Sequence, residues 1–135
     1  MHTEEFELDT GGAFAVVDIT DRVVAFVDGR GDGLVHVFVP HATAGVALVE
    51  TGSGTEADLQ TAIARLLPRS DGGWRHRHGS TGHGADHVLP AFVAPSLAIP
   101  VLGGRPALGT WQSVVLVDPN VDNPRRRVRL SFLRG

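Results

Sequence analysis

Histidines are the side chains in this sequence with the widest capacity for chemistry. The chain has seven of them among 135 residues, and four fall within twelve consecutive positions: His76, His78, His83 and His87. Neutral imidazole is the commonest protein ligand for transition metals, and a chain without cysteine must hold such a metal with histidine and carboxylate. Taken singly, each of these residues is more typical of a solvated loop histidine, and a divalent-metal site is the alternative.

Two details of the histidine pattern bear on that prediction. His41 directly follows Pro40 at the end of a strand-like run, where side chains at the rim of a sheet commonly point into a site. The spacing His83-x-x-x-His87 is compatible with two rings on one helix face, but Gly84 is a poor helix former and the glutamate of an H-E-x-x-H motif is absent. Spacing alone therefore assigns no role to His78 or His83.

Three other stretches carry polar groups suited to a ligand. The sequence G-T-W-Q-S at residues 109–113 offers several hydrogen-bond donors to a phosphate, with a glycine turn and a core tryptophan as the alternative. Glu50 ends a short strand and is either a functional carboxylate or a solvated one. The arginine run at residues 125–127 is either an anion clamp or a solvated strand entrance.

Composition excludes several classes of chemistry. Cysteine is absent, and all 12 basic residues are arginine, so thiolate, iron–sulfur and lysine Schiff-base sites are excluded. A net charge of −3 argues against a general nucleic-acid-binding protein. The apolar runs are all shorter than the ~20 residues of a membrane helix, and the acidic N-terminus resembles a strand rather than a signal peptide. We expect a cytoplasmic protein with neither a nucleic-acid nor a membrane partner.

Hydrophobic periodicity predicts the elements that must position these residues. Runs typical of strands occur at seven places: residues 5–9, 13–18, 34–39, 46–50, 97–101, 110–117 and 127–133. One helix is predicted from Thr20, as N-cap, to a stop at Gly29. Strands that follow one another directly, without regular βαβ units, indicate a single-domain α+β fold with a mixed sheet of about seven strands and two main helices.

The second helix has the clearest pattern. Ser53 and Glu56 have the spacing of a capping box, an apolar stripe runs from Leu59 to Leu67, and Pro68 ends it. The following polar segment, residues 69–86, has no periodicity and is long for a plain connection, which is typical of a functional loop. Trp74 is its one large apolar side chain, and we expect it to pack against the core.

Several of these blocks occur together in one known family. The string His41-Ala-Thr-Ala-Gly45, then Glu50, His76, His87 and the G-T-W-Q block resembles the YjbQ family, also called UPF0047 or the secondary thiamine-phosphate synthase family. The order and spacing match from about residue 4 to the end. The resemblance implies an α+β fold with a mixed, curved sheet, a homotrimer, and a cleft where the histidines bind a metal or an anion.

The resemblance also implies roles for individual residues. It gives a divalent metal, zinc or magnesium, to His41, His76 and His87, and it implies no organic cofactor. Catalytic roles fall to His41, Glu50 and Gln112. A small phosphorylated molecule would be bound by Thr43, Thr110, Ser113, Arg126 and Arg127.

The chain departs from the family pattern at several positions. The family's Asn-Glu-Asn is Val49-Glu50-Thr51 here, so the ligand contacts near Glu50 differ. His83 stands where Asn is common, and Ser113 where Gly is common. The resemblance implies weak thiamine-phosphate synthesis, in which a thiazole phosphate is joined to a pyrimidine pyrophosphate. The alternative is a trimeric protein that binds a phosphorylated metabolite or a metal without turnover.

Overall fold

Strands and helices follow one another in the order expected of an α+β protein. The computed structural model describes residues 1–70, 73–119 and 121–135. The strands are β1 His2–Asp9, β2 Ala15–Asp18, β3 Gly33–Phe38, β4 Gly45–Val49, β5 Ser96–Leu102, β6 Arg105–Pro106, β7 Ser113–Asp118 and β8 Arg125–Arg134. The helices are α1 Thr20–Val27, α2 Thr55–Leu66, α3 His83–Val88 and a 3₁₀ turn at Leu89–Ala91. Among the described residues, no helix is long and apolar enough to cross a membrane.

The strands form two sheets. One has the order β1-β8-β3-β5-β6 and the other β2-β7-β4, and every pairing in them is antiparallel. The α+β class is confirmed, but the expected mixture of parallel and antiparallel pairs is not found in the described part of the chain. Among the paired strands of the described residues, only β5 and β6 are consecutive and joined by a short connection. The other pairs join strands that are distant in sequence, so local connection length does not fix their direction. The two-residue strand β6 is too short to give a periodic signal.

Strand β7 lies between two apolar cores and connects them, because its alternate side chains pack into different cores. Val114 and Leu116 pack with α1 and the five-stranded sheet, while Val115 and Val117 pack with α2, Leu89 and the segment after α2. All four side chains are fully buried. Burial of both faces is the reason that residues 114–117 are an unbroken apolar run rather than an alternating one.

The helix ends agree with the sequence more closely than the caps do. α1 runs from Thr20 to Val27, two residues before Gly29, but its N-cap is Ile19, so the predicted N-cap at Thr20 is wrong. The Thr20 hydroxyl instead accepts a hydrogen bond from the Val114 N–H at 2.9 Å. α2 begins at Thr55 behind Gly54, so the predicted capping box at Ser53 is wrong. The Glu56 carboxylate nevertheless accepts a hydrogen bond from the Gly52 N–H at 2.8 Å. It therefore stabilises the turn before the helix instead of a serine cap.

Helix α3 is the longest element that the sequence did not predict. It occupies His83–Val88, inside the segment expected to be irregular, and it contains Gly84. A Cβ on Gly84 would lie 2.6 Å from the Cβ of Trp74. The glycine that weakens the helical signal is thus the residue that lets the helix approach the tryptophan.

Candidate metal centre

The four clustered histidines converge on one point. His76 and His78 come from the loop after α2, and His83 and His87 lie one turn apart on α3. Each offers a ring nitrogen, and these four atoms all lie within 4.8 Å of one another. His83 is buried, His87 is half-buried, and His76 and His78 are exposed. The cluster is therefore anchored on the helix side and open to water on the loop side.

The loop side is held in place by the tryptophan next to it. Trp74 packs against the core cluster that contains Ala85 and Leu89, as expected. Its indole N–H donates a hydrogen bond to the Pro68 carbonyl at 2.7 Å. Residues 71–72, which belong to the long polar segment, lie outside the described residues.

The spacing of the rings fits a zinc ion. The ring centroids are 4.0 to 5.8 Å apart, and the Nε2 atoms of His83 and His87 are 3.0 Å apart. Ligands at 2.0–2.1 Å in a tetrahedral site are about 3.3 Å from each other. Small side-chain movements would thus bring four nitrogens to zinc, whereas magnesium prefers oxygen ligands and fits this set poorly.

The charge state of the cluster also suits a metal. The pKa of His76 is lowered from its usual value, first by loss of hydration and then by repulsion from His78 and His83. The pKa of His87 is lowered by burial and by the other imidazoles, His41 among them. Both shifts favour neutral imidazole at neutral pH, which is the form that binds a metal.

Two carboxylates lie near the Nδ1 atom of His83. Its Nδ1 lies 3.0 Å from an Asp122 oxygen and 3.5 Å from an Asp86 oxygen. Asp86 is almost completely buried and pairs with Arg69; burial raises its pKa, and the hydrogen bond from Arg69 opposes that effect. The Nδ1 atom makes no hydrogen bond of ordinary geometry. These contacts are thus mainly electrostatic.

His41 lies near the cluster but is not one of the four. Its Nδ1 accepts a hydrogen bond from the Thr43 N–H at 3.3 Å and lies 2.9 Å from the Thr43 hydroxyl. Burial lowers its pKa, and so does the positive charge of Arg126, while Asp118 raises it. A neutral ring whose Nδ1 is an acceptor carries its proton on Nε2. His41 is thus arranged as a hydrogen-bond donor, and Thr43 as the residue that orients it.

The predicted phosphate-binding arginines differ in their placement. Arg126 is fully buried, with Nη2 donating to Asp118 at 3.1 Å and Nη1 donating to the Arg125 carbonyl. The Thr10 hydroxyl also donates to Asp118. Arg127 is exposed and lies 3.5–3.6 Å from the carboxylates of Glu5 and Glu7. Arg126 therefore acts on the site through its charge, and Arg127 is the one that an external anion can reach.

The G-T-W-Q block and Glu50 lie at the other end of strands β4 and β7. Val49 pairs with Ser113 and Gly45 with Val117, so the residues after Val49 lie near the start of β7. The histidine cluster contacts the loop after Asp118, about 17 Å away along β7. Within one chain the structure does not bring Glu50, Thr110, Gln112 or Ser113 to the histidines.

Residues of the G-T-W-Q block and Ser113 make hydrogen bonds with their own neighbours at that end of β7. The N–H of Gly109 donates to the Gln112 side-chain oxygen at 2.8 Å, and the Gln112 N–H donates to the Gly109 carbonyl at 3.0 Å. Ser113 lies within hydrogen-bond distance of Thr51, at 3.1 Å. Trp111 is 73% exposed, so it is not a core residue. Residues 110–112 therefore form a turn rather than the predicted start of β7.

Sequence reasoning assigned no role to His78 and His83 and did not identify Asp122. His78 is two positions from His76, and His83 is one helical turn from His87, so their spacing was visible; the glycine at position 84 obscured the helix. No local signal links Asp122 to residues about forty positions earlier. Its place beside His83 comes from the return of the chain between β7 and β8.

Comparison with known proteins gives one consistent family. A family model described as UPF0047 protein YjbQ-like matches residues 4–135. UPF0047 protein Rv2556c of Mycobacterium tuberculosis H37Rv is 62% identical over 135 residues, covering all of both chains. A UPF0047 protein of Archaeoglobus fulgidus is 34% identical over 124 residues, which cover 91% of this chain and 94% of that protein.

Solved structures with similar folds include a protein described as YbjQ-like. Hypothetical protein APE1520 from Aeropyrum pernix K1 superposes with a TM-score of 0.87 at 33% identity, covering 100% of both chains. A YbjQ-like protein of unknown function from Sulfolobus solfataricus P2, SSO2532, gives a TM-score of 0.91 at 26% identity, covering 99% of this chain and 97% of that one. The fold is therefore that of known relatives.

Proposed function

The chain belongs to the YjbQ-like UPF0047 family, and from that premise we propose that it binds zinc at its four-histidine cluster and a small phosphorylated molecule beside it. The observation that carries the proposal is the convergence of four imidazole nitrogens within 4.8 Å of one another. Close packing of four imidazoles repels protons, and a divalent cation relieves the crowding of lone pairs.

A basic surface cavity next to His41 supports the phosphate part of the proposal. It has a volume of about 320 Å³ and is lined by His41, three exposed or half-exposed arginines at positions 125, 127 and 129, the buried Arg126, Glu7 and Pro40. Guanidinium groups bind phosphate in bidentate geometry, and the Nε2–H of His41 supplies a further donor. Glu7 pairs with Arg127 and Glu5 with Arg129 across the β1–β8 pair, so these arginines are held on one face of the sheet.

The reaction that the family resemblance implies is thiamine-phosphate synthesis. The thiazole ring nitrogen forms a bond to the pyrimidine methylene carbon, and the bond from that carbon to pyrophosphate breaks, so pyrophosphate carries away the electron pair. A zinc ion there would stabilise negative charge on the departing phosphate oxygens. The chain's own contributions are a hydrogen-bond donor, His41, and a positive surface, Arg127 with its neighbours, that binds the anion.

A second candidate function is binding without turnover, and one observation favours it. Four protein ligands complete a tetrahedral zinc site, whereas catalytic zinc sites keep one position open to water or substrate. The exposed His78 would then decide between the two functions. If His78 remains bound, the site is closed; if a phosphate displaces it, the site becomes reactive.

Elemental analysis combined with an assay of pyrophosphate release tests the proposal. We expect one zinc per chain, saturable turnover of the thiazole and pyrimidine substrates, and a His41→Ala variant that keeps its zinc and loses turnover. Zinc with ligand binding but no product would support the binding function. Protein without zinc after purification and zinc dialysis would contradict both.

We also propose a homotrimer whose sites are shared between subunits. Apolar side chains on the outer face of the five-stranded sheet are exposed, with Leu34 paired to Leu133 and each about half accessible. A second copy would cover them and would bring its Glu50 and Gln112 to the histidines of the first. Solution mass should be three times 14.3 kDa, and mixing His87→Gln with Gln112→Ala chains should restore part of the lost activity. A monomeric mass at micromolar concentration would contradict this.

A further inference from the structure

Asp122 links two segments that are distant in sequence. It lies in the loop between β7 and β8, and one of its oxygens, Oδ2, makes two contacts in the histidine segment. That oxygen accepts a hydrogen bond from the Ser80 N–H at 3.0 Å and lies 3.0 Å from Nδ1 of His83. One carboxylate oxygen thus contacts both the loop that carries His78 and the helix that carries His83.

The second carboxylate near His83 has a different partner. Asp86 is 0.5 Å farther from Nδ1 than Asp122 is, and its other oxygen is engaged by the Arg69 guanidinium. Arg69 also contacts Ser80 and the Thr81 carbonyl, so it is fixed beside Asp86. Asp86 therefore interacts with both Arg69 and His83. Asp122 is the nearer of the two carboxylates to Nδ1 of the imidazole.

Close approach of these groups depends on a glycine. Gly79 has a φ of +81°, and a Cβ there would lie 2.7 Å from the Asp122 oxygen and 2.8 Å from the His83 ring. Only a residue without a side chain leaves room for the carboxylate and the imidazole to meet at this point. The contact is therefore built into the backbone of the loop.

The charge of Asp122 has a consequence for the opposite nitrogen of the ring. A carboxylate beside Nδ1 favours the tautomer with its proton on Nδ1, so the lone pair of Nε2 faces the cluster. Nε2 of His83 is the atom that lies 3.0 Å from Nε2 of His87. Carboxylates placed in this way behind metal-binding histidines fix the ring and strengthen it as a donor.

We propose that Asp122 is a positioning residue for the metal site, holding His83 in the tautomer that presents Nε2 to the ion. This inference rests on the proposed function, because it concerns the same four-histidine cluster. It adds that the β7–β8 loop, not only the histidine segment, determines metal affinity.

The test is zinc affinity of the full-length protein by competition with a chromophoric chelator. In Asp122→Asn, an amide oxygen can still accept the Ser80 N–H, so the loop contact is kept while the negative charge is lost. We expect the zinc dissociation constant to rise about 10- to 100-fold, and Asp122→Glu to recover part of the loss. Asp28→Asn, an exposed aspartate at the end of α1, is the matched control and should bind as the wild type does.

Two spectroscopic measurements separate positioning from a purely structural role. The ¹⁵N shifts of His83 in the metal-free protein should show a proton on Nδ1 in the wild type and a changed tautomer population in Asp122→Asn. The visible spectrum of the cobalt-substituted protein should also change. Equal zinc affinity and equal ¹⁵N shifts in wild type and Asp122→Asn would overturn the inference while leaving the proposed function intact. Failure of the wild type itself to bind zinc would overturn both.

Discussion

Replacing His87 by glutamine should remove most of the stabilisation expected from zinc binding at the proposed site. His87 lies close to two other members of the cluster, since its ring is 4.1 Å from that of His76 and 4.7 Å from that of His83. Four-ligand zinc sites contribute about 10–16 kcal/mol on binding, so one ligand of four is worth about 2.5–4 kcal/mol. That corresponds to a dissociation constant raised roughly 100-fold or more.

The size of the thermal effect follows from mass action. At a zinc concentration about 1,000 times the wild-type dissociation constant, binding stabilises the native state by about 4 kcal/mol. A variant that binds 100-fold more weakly gains about 1.4 kcal/mol at the same concentration. With an unfolding entropy of about 2.1 cal/mol/K per residue, the difference corresponds to a melting-temperature shift about 10 °C smaller in the variant.

Differential scanning fluorimetry with and without zinc measures this directly. Each variant is compared with its own metal-free form, so a change in intrinsic stability from the substitution cancels. His2→Gln is the matched control because His2 is exposed on β1 and is not one of the four histidines. The reasoning is refuted if zinc raises the melting temperature of wild type and His87→Gln by the same amount.

Three further substitutions test other parts of the structure. Gly84→Ala should destabilise the protein by about 1–3 kcal/mol in urea denaturation, because the added methyl group overpacks against Trp74 even though alanine favours a helix more than glycine does. Gly12→Ala is the control and should be neutral, since a Cβ at Gly12 has open space around it. A stabilised Gly84→Ala variant would contradict the packing described. Arg126→Ala should lower the free energy of unfolding by about 3–5 kcal/mol, because it leaves the buried charge of Asp118 without this partner. In equilibrium unfolding, the double variant with Asp118→Ala should lose much less stability than the sum of the two single losses. Simple additivity would show that the pair is not coupled. The folded-state pKa of His41 is lowered, so its contribution to stability is present above about pH 6.5 and is lost as the pH falls from there toward the folded pKa. The free energy of unfolding of His41→Gln should therefore change less than that of the wild type between pH 8 and 5. An unchanged pH dependence in the variant would contradict the assignment.

The separation between the two ends of strand β7 explains why the residues of this family's motifs need not share one site in one chain. Gln112 and the Gly109 N–H close their own turn, and Ser113 contacts Thr51, while the histidines gather beyond Asp118. An extended strand of six residues holds its ends rigidly apart. Within one chain these two groups of residues therefore lie at separate ends of the strand.

The sequence by itself determined the elements whose signal is local. Alternation along β8 and the apolar stripe of α2 follow from periods of two and 3.6 residues, and both elements are present where the pattern placed them. The α+β class followed from strands that succeed one another without regular crossovers. The family was recognised from short blocks of residues, and the histidine-rich segment from composition alone.

Only the tertiary structure decided which side chains act together. The pairing of Asp122 with His83 and the burial of Arg126 against Asp118 depend on the path of the β7–β8 connection. The proton position on His41 depends on the Thr43 amide. Each of these features depends on a contact between residues that become neighbours only when the chain folds. A periodic pattern in the sequence therefore does not predict it. Gly84 shows both effects. Its low helix propensity argues against a helix, but its lack of a side chain leaves room for Trp74, and the helix that forms there places His83 and His87 one turn apart.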